Sequence, residues 1–293
     1  MLPRAALLIS PVDMARVDGR EGGRNLQPQA LLITLLGDYL LARGEPVWSG
    51  GIVRMLETFG FTPASARLSL SRLSRKGLLR RSKDGRLTYY ELSDAGLRLL
   101  EEGKQRIFSF GAEDEWEGTW TVVSYSIPEE RRATRTRLRN RLAFLGFASL
   151  HDGTWYSPRD HEADVDALLD ELEVRDLAQI FLGRPSGRED VGALVMRGWD
   201  LDRLAAEYAA FIGEFREYTK RTVRRRITDE TAFVTRTLVM HEFRRFPSMD
   251  PELPESIVGG RWQRSEAVRT FHDVHDGLAD AATRHFEALV ALN

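Results

Sequence analysis

The chain has 293 residues, of which 42% are hydrophobic and 29% charged, and its formal net charge is -2. This composition is ordinary for a protein of two or three domains, and it excludes a uniformly basic coat for nucleic acid. The absence of cysteine excludes a disulfide framework, a thiolate nucleophile and a Cys-ligated zinc site, and favours a cytoplasmic protein. No apolar run reaches the roughly 18 to 20 residues of a membrane span, so we expect no membrane partner.

The first structural signal along the chain is Pro28. Residues 1–27 contain one short apolar patch, Ala5 to Ile9, with a lone Arg4 before it and no convincing cleavage site after it. We therefore interpret them as a mobile tail and not as a signal peptide.

Three helices are predicted next. Apolar residues recur at helical spacing from Pro28 and stop at Gly44, and Ser49 is placed to cap a second helix that Gly60 ends. Thr62 followed by a proline is a typical helix start and predicts a third helix that runs to Lys76.

A β-hairpin follows the third helix. Leu78 to Ser82 and Arg86 to Leu92 have strand patterns and enclose an Asp-Gly turn at Asp84 and Gly85, and Ser93 is placed to cap a fourth helix. Three helices followed by a hairpin predict a winged helix-turn-helix over residues 28–110.

Positive charge is concentrated in residues 62–90. This stretch has one acidic residue, Asp84, and eight cationic ones, Arg67, Arg72, Arg75, Lys76, Arg80, Arg81, Lys83 and Arg86. Because the whole chain is nearly neutral, the concentration is local, as it is on a surface that binds double-stranded DNA.

The third helix has two faces. Steps of 100° per residue place Ala66, Ser69, Leu70 and Leu73 on an inner face and the arginines outside. In a helix-turn-helix the N-terminal half of the outer face meets base edges. The predicted DNA-binding residues are Thr62, Ala64, Arg67, Leu68, Ser71, Arg72, Arg75, Lys76, Arg80, Arg81, Lys83 and Arg86.

Within this set, Arg67 has the chemistry for guanine, Ser71 for an adaptable base or phosphate contact and Leu68 for a thymine methyl group. The cations from Arg75 onward are expected mostly at phosphates. The alternative interpretation is that the cations form a solvated face and that Leu68 packs on the hairpin.

A domain boundary is expected at residues 111–118, where the sequence becomes acidic. Beyond it, residues 118–198 alternate strand and helix patterns in the order βαββαβ, which predicts a ferredoxin-like domain. Six arginines between Arg131 and Arg141 either bind an acidic ligand or pair with the eight acids between Asp160 and Asp176.

This layout resembles the small metal-dependent nuclease of CRISPR adaptation, which has an aspartate at the end of its first strand. Tyr125 and Ser126 stand at that place here, and neither is an anionic ligand for Mg²⁺ at neutral pH. The resemblance thus supports the fold and weakens the case for activity. A nucleic-acid-processing enzyme is kept as the alternative to a DNA-binding protein without enzymatic activity. His272 and His275, with Asp273 and Asp276, are a weak metal pair, and we predict neither a metal site nor a cofactor.

Residues 199–293 have helical patterns. We predict one long helix from Leu201, another over Glu230 to Phe246, a proline-broken loop from Pro247 to Pro254 and a final helix or pair over Ser265 to Leu292. The whole chain is thus predicted to be an α+β protein.

A sequence block in this region resembles a known family. The motif HEFRRF from His241 to Phe246, the following MDPELP and Trp262 are, together with the N-terminal module, similar to the PaaX-type regulators, the repressors of the phenylacetic acid catabolon. The resemblance covers about residues 31–292. Members show Leu-Leu-Pro and then Trp-Pro-Gly where this chain has Ile257-Val258-Gly259 and Trp262-Gln263-Arg264, a departure that bears on the effector.

The resemblance implies a homodimeric repressor that binds an inverted-repeat operator and is released by an aryl-acetyl coenzyme A, usually phenylacetyl-CoA. Such a thioester needs cations for its phosphates and an apolar slot for its acyl group. The run KRTVRRR over 220–226 is a further source of cations. The predicted effector-binding residues are His241, Phe243, Arg244, Arg245, Phe246 and Trp262. The alternatives are that the aromatic side chains are core and the arginines bridge domains, or that the protein is a DNA-binding adaptor without a small ligand.

Overall fold

A computed structural model describes residues 26–112, 118–187, 190–258 and 262–292. The predicted tail up to residue 25 and the acidic residues 113–117 lie outside the described residues. In the part that is described, no helix has the length and apolar composition needed to cross a membrane.

The N-terminal region is helical with one small sheet. Its helices and strands are α1 (Pro28–Leu35), a π-helical segment (Leu36–Leu40), α2 (Leu41–Arg43), β1 (Val47–Trp48), α3 (Ser49–Glu57), α4 (Pro63–Arg75), β2 (Leu79–Asp84), β3 (Leu87–Leu92) and α5 (Asp94–Ser109). The predicted helical stretch from Pro28 to Gly44 is confirmed, and Gly44 ends it in the left-handed region with φ 68°.

Helix α4 begins where the sequence predicts, ends at Arg75, one residue before the predicted Lys76, and buries the predicted inner face. The Thr62 side chain accepts a hydrogen bond from the backbone N–H of Ser65, and Pro63 occupies the first turn. The inner residues Ala66, Ser69, Leu70 and Leu73 are buried. The predicted cap of the preceding helix is wrong, because Ser49 is the first residue of α3 and Trp48 is its N-cap.

The hairpin pairs Leu79 with Leu92 and continues to Asp84 opposite Leu87. The two turn residues are therefore Gly85 and Arg86, one position later than the Asp-Gly turn that the sequence predicts. Gly85 has φ 56°, which glycine adopts with little cost. Strand β1, which the sequence analysis missed, adds a third strand on the other side of β3.

The described residues from Val191 onward form helices and connecting segments, without a strand. In chain order the helices are α8 (Val191–Gly198), α9 (Leu201–Phe215), α10 (Arg221–Arg224), α11 (Asp229–Phe243), α12 (Phe246–Met249), α13 (Glu255–Val258), α14 (Arg264–Gly277) and α15 (Ala279–Val290). The predicted final pair of helices is confirmed. The predicted helix to Phe246 is wrong at its end, since α11 stops at Phe243 and Phe246 begins a short helix inside the expected proline loop.

The middle of the chain forms a four-stranded antiparallel sheet. Its helices and strands are β4 (Trp120–Tyr125), α6 (Arg132–Phe144), β5 (Ala148–His151), β6 (Thr154–Ser157), α7 (Glu162–Glu171) and β7 (Ala178–Gly183). The predicted order βαββαβ is confirmed, and the strands lie in the spatial order β5-β6-β4-β7. Gly153, at φ 79°, makes the turn between β5 and β6. Helix α8 was not predicted.

Contacts divide the chain into two compact units. Unit one takes the described residues of Met1–Ser109, Phe211–Arg245 and Glu266–Asn293, and unit two takes those of Phe110–Ala210 and Phe246–Ser265. The predicted C-terminal segment thus contributes residues to both units. The linear boundaries at 27/28, 110/118 and 198/199 stay predictions, and the α+β class is confirmed by the helices and the two antiparallel sheets.

Unit one has a core built from both ends of the chain. Leu31, Leu35 and Leu56 from the N-terminal helices pack in one cluster with Phe233 of α11 and Phe286 of α15. In unit two, α6 and α7 cover one face of the sheet in a separate cluster that includes Leu138, Leu142, Val165 and Leu169.

Two glycines of α5 allow a matched test of this packing. A Cβ on Gly96 would overlap the carbonyl oxygen of Leu78, whereas a Cβ on Gly103 would have no neighbour within 4 Å. We expect Gly103→Ala to raise the free energy of unfolding by roughly 0.5 to 1 kcal/mol through helix propensity. Gly96→Ala should lower it by about 1 to 3 kcal/mol through overpacking. Urea denaturation followed by circular dichroism measures both, and equal effects of the two substitutions would contradict the packing of α5 on Leu78.

Candidate nucleic-acid interface

The outer face of α4 and the hairpin β2–β3 form the candidate interface. All twelve predicted DNA-binding residues are exposed: Thr62, Ala64, Arg67, Leu68, Ser71, Arg72, Arg75, Lys76, Arg80, Arg81, Lys83 and Arg86. The hydrophobic inner face of α4 explains this placement, because burying Leu70 and Leu73 turns Arg67, Ser71 and the later arginines toward solvent.

The cations of this surface differ in their local partners. Arg80 makes ion pairs with Glu91 at 3.1 Å and with Asp94 at 3.5 Å, so much of its charge is compensated within the chain. In the described part of the chain, the other seven cations make no ion pair with a carboxylate within 4 Å. An exposed, uncompensated set of this kind attracts polyanions.

Leu68 is not part of the buried core of unit one. Its exposed fraction is 47%, which leaves nearly half of the side chain open to solvent. More than half of the side chain is covered, so packing on the hairpin and contact with an external partner both stay predictions. An apolar side chain between Arg67 and Ser71 on an outer face is suited to a thymine methyl group.

The predicted effector-binding residues are divided between the two units. His241, Phe243, Arg244 and Arg245 belong to unit one, whereas Phe246 and Trp262 belong to unit two. Phe243 is fully buried and stacks on Phe271 with ring centroids 4.1 Å apart. Arg245 forms an ion pair with Glu242 at 3.0 Å.

His241 is a buried, neutral histidine. Its Nδ1 lies 2.9 Å from the hydroxyl oxygen of Thr34 on α1. Burial, with the charges of Arg244 and Arg245 adding to it, lowers the pKa of His241 to about 3. The side chain therefore links α11 to α1 as a neutral polar group.

In unit two, Phe246 and Trp262 surround Tyr208. Phe246 stacks on Tyr208 with centroids 4.4 Å apart, and Trp262 meets the same ring edge-on at 5.7 Å. The Tyr208 hydroxyl donates to the buried carboxylate of Asp250, which also forms an ion pair with Arg264 at 2.7 Å. Burial, with Asp250 adding to it, raises the pKa of Tyr208 well above its usual value.

The arginines in and just before α6 contact the acidic helix α7 and the residues that follow it. Arg141 lies 3.8 Å from Glu171, and Arg131 donates to the backbone carbonyl of Glu173. Arg135 pairs with Glu129 instead. Intraprotein pairing, one of the two interpretations of this arginine run, therefore accounts for part of it.

The structure also shows a buried ionic group that the sequence analysis did not identify. Asp38 lies 3.4 Å from Arg236 and 3.2 Å from Nε2 of His275, and all three side chains are largely buried. Nδ1 of His275 faces Asp276 at 3.0 Å. Asp38 lies within the π-helical segment, and π-helical turns are frequently found at functional sites. Among the described residues, no three His, Cys, Asp or Glu side chains are arranged to hold a metal ion.

Comparisons with known proteins cover all three segments. The family description "PaaX-like protein" matches residues 27–96, "PaaX protein central Cas2-like domain" matches 113–195 and "PaaX-like protein C-terminal domain" matches 199–288. The Transcriptional repressor PaaX of Escherichia coli (strain K12) is 31% identical over 258 residues, which cover 86% of this chain and 81% of that protein.

One solved structure has a similar fold. The uncharacterized protein Rv0674 from Mycobacterium tuberculosis superposes with a TM-score of 0.57 at 22% identity. The match covers 88% of this chain and 97% of that one, so the likeness of fold extends through most of the chain.

The lowered pKa of His241 predicts a dependence of stability on pH. The unfolded chain binds a proton near pH 6.5 and the folded chain only near pH 3, so stability is lost as the pH falls through this window. Between pH 6.5 and 5 we expect His241 to account for a loss of roughly 2 kcal/mol in unfolding free energy. Urea titrations at several pH values of the wild type and of His241→Gln measure it.

His151 supplies the control for this experiment, because its side chain is exposed. His151→Gln should keep the wild-type dependence on pH, whereas His241→Gln should flatten it. Parallel curves for all three proteins would show that His241 is protonated in the folded state or exposed to solvent.

Proposed function

Because this chain belongs to the family of PaaX-like proteins, we propose that it is a DNA-binding transcriptional repressor. The observation that carries the proposal is the exposed outer face of α4, with its uncompensated cations, next to a hairpin of the same charge. The relative from Escherichia coli that is named as a transcriptional repressor supports the same function.

We assign the DNA-binding module to a winged helix-turn-helix over residues 28–110. Helices α3 and α4, joined by the short turn after Gly60, would be the helix-turn-helix pair, and β2–β3 would be the wing. The N-terminal half of α4 then enters the major groove, where Arg67, Leu68 and Ser71 face base edges. Lys76, Arg81, Lys83 and Arg86 face phosphates.

We assign the central domain to the ferredoxin-like fold. The strand order β5-β6-β4-β7 with two helices on one face supports this assignment. In the proposal this domain has no catalytic role, since Tyr125 and Ser126 stand where a metal-dependent nuclease has its aspartate. A labelled DNA duplex should stay intact when the protein and Mg²⁺ are added, whereas a nuclease would cut it.

We further propose a cytoplasmic homodimer that acts on an inverted repeat. A two-fold dimer would place two copies of α4 about one helical turn of DNA apart, roughly 34 Å. An effector that binds another dimer geometry more tightly would lower the affinity of the protein for the operator. The ratio of the effector's affinities for the two geometries limits how large this loss is. The family resemblance suggests an aryl-acetyl coenzyme A, with phenylacetyl-CoA as the first candidate.

The base-reading role of α4 predicts two different substitution effects. Arg67→Ala should weaken binding to the cognate operator by roughly 1 to 3 kcal/mol and relax the preference at one base position, because a bidentate contact is lost. Lys83→Ala should weaken cognate and random DNA alike and reduce the salt slope by about one unit, because only a phosphate contact is lost. Fluorescence anisotropy on both DNAs at several salt concentrations measures this.

Arg80→Ala is a suitable comparison, since Arg80 is already paired with Glu91 and Asp94. Its effect on the salt slope should be smaller than that of Lys83→Ala. If Arg67→Ala and Lys83→Ala lower the affinity for cognate and random DNA equally, α4 does not read the sequence.

The effector is tested by a gel-shift titration of the protein on its own upstream DNA. At fixed salt, we expect specific binding that phenylacetyl-CoA, or one other member of a panel of acyl-CoA thioesters, releases. Coenzyme A without an acyl group is the control and should leave the complex intact. Specific binding that is indifferent to every thioester would replace the ligand-responsive repressor by a DNA-binding adaptor.

A further inference from the structure

A second cluster of arginines follows α9 in unit one. The eleven residues from Arg216 to Arg226 contain six cations, Arg216, Lys220, Arg221, Arg224, Arg225 and Arg226, and one acid, Glu217. Cations are denser here than in residues 62–90, although no sequence pattern in the segment resembles a DNA-binding motif.

The five cations from Lys220 to Arg226 divide into two groups. Lys220 pairs with Glu217 at 2.7 Å, and Arg224 donates to the backbone carbonyl of Asp273 at 2.7 Å, so these two side chains fix the segment to the unit. Arg221, Arg225 and Arg226 are exposed and, among the described residues, make no ion pair. Their charges are therefore available to an external anion.

A chain of contacts connects the helix that follows this segment to the turn before α4. Helix α11, which begins three residues after Arg226, carries Phe233, whose ring lies 5.8 Å from that of Phe59. Phe59 precedes Thr62, the N-cap of α4, by three residues. The start of α11 is thus close to the turn that leads into α4.

Helix α15 gives a second, independent measure of the same placement. Its C-terminal Val290 packs on Gly51 at the start of α3, while His285 contacts Phe233, so α15 runs antiparallel to α3. Arg284, one residue before His285, pairs with Asp229 at the first position of α11 at 2.7 Å. The residues just before Asp229 therefore lie toward the end of α3, where the chain turns into α4.

From this placement we infer that Arg221, Arg225 and Arg226 bind backbone phosphates of the DNA that α4 contacts. The hairpin supplies cations near the C-terminal end of α4, and these arginines supply them near its N-terminal end. This inference rests on the proposed DNA binding and extends the interface to a part of the chain far from residues 28–110 in sequence.

Phosphates also occur in coenzyme A, but the surroundings of these arginines favour DNA. A thioester needs a concave apolar site for its acyl group. Among their neighbours in sequence, Thr222 and Thr228 are exposed and polar, whereas the apolar Val223 and Ile227 are half-buried. Exposed arginines suit a phosphate backbone that passes over the protein surface.

The test is the triple substitution Arg221→Ala, Arg225→Ala and Arg226→Ala in the full chain. We expect the slope of log Kd against log salt to fall by about two to three units. At 0.1 M salt, affinity for cognate and random DNA should fall by the same factor, roughly 10²-fold, so the ratio between them is kept. Lysine at the same three positions should restore most of the slope, because the charges remain.

The matched control removes three other exposed arginines, Arg197, Arg203 and Arg269, which changes the net charge by the same amount. The inference is overturned if the first triple variant keeps the wild-type slope, or if both triple variants lower it equally. It is also overturned if the first variant loses binding of coenzyme A, measured by calorimetry, with its DNA slope unchanged.

Thermal melts of each variant establish that it is folded before its binding is interpreted. The wild-type titration distinguishes a failure of the proposed function from a failure of this inference alone. If the wild type binds no DNA, the proposed function fails, whereas a wild type that binds with a salt slope insensitive to the three arginines overturns this inference alone.

Discussion

The shared hydrophobic core of unit one is the constraint on which the candidate interface depends. Helices α1, α3 and α4 are short, and a helical module of this size buries little apolar surface by itself. Phe233 of α11 and Phe286 of α15 flank Tyr39, with ring centroids 5.1 and 5.0 Å away. These aromatic side chains, from opposite ends of the sequence, complete the core against which α4 presents its outer face.

Polar links add specificity to this core. Thr34 and His241 are hydrogen-bonded across α1 and α11, and Asp38 joins Arg236 and His275 in a buried ionic group. Buried charges of this kind add little net stability, but removing one partner leaves the other uncompensated. These contacts connect α11 to α1, and both α11 and α14 to the π-helical segment, within the unit that carries the DNA-binding surface.

Charge is distributed by the same architecture. The chain is nearly neutral overall. The cations of α4, the hairpin and the segment around α10 are exposed and have few carboxylates near them. The arginines of α6, in contrast, are partly neutralised by Glu171 and Glu129. Such a division concentrates positive potential on unit one.

The sequence by itself determined the local features of this protein. The Thr62-Pro63 start, the apolar spacing of α4 and the order βαββαβ are encoded by neighbours a few residues apart, and the family block from His241 to Trp262 is visible without coordinates. Only the tertiary structure decided that Phe243 is a core residue, that Asp38 meets His275 and that Phe233 of α11 lies beside Phe59, just before α4. Those contacts join residues about 30 to 240 positions apart in the sequence. No local period encodes them, because they follow from the way helices from both ends of the chain must pack to bury one core.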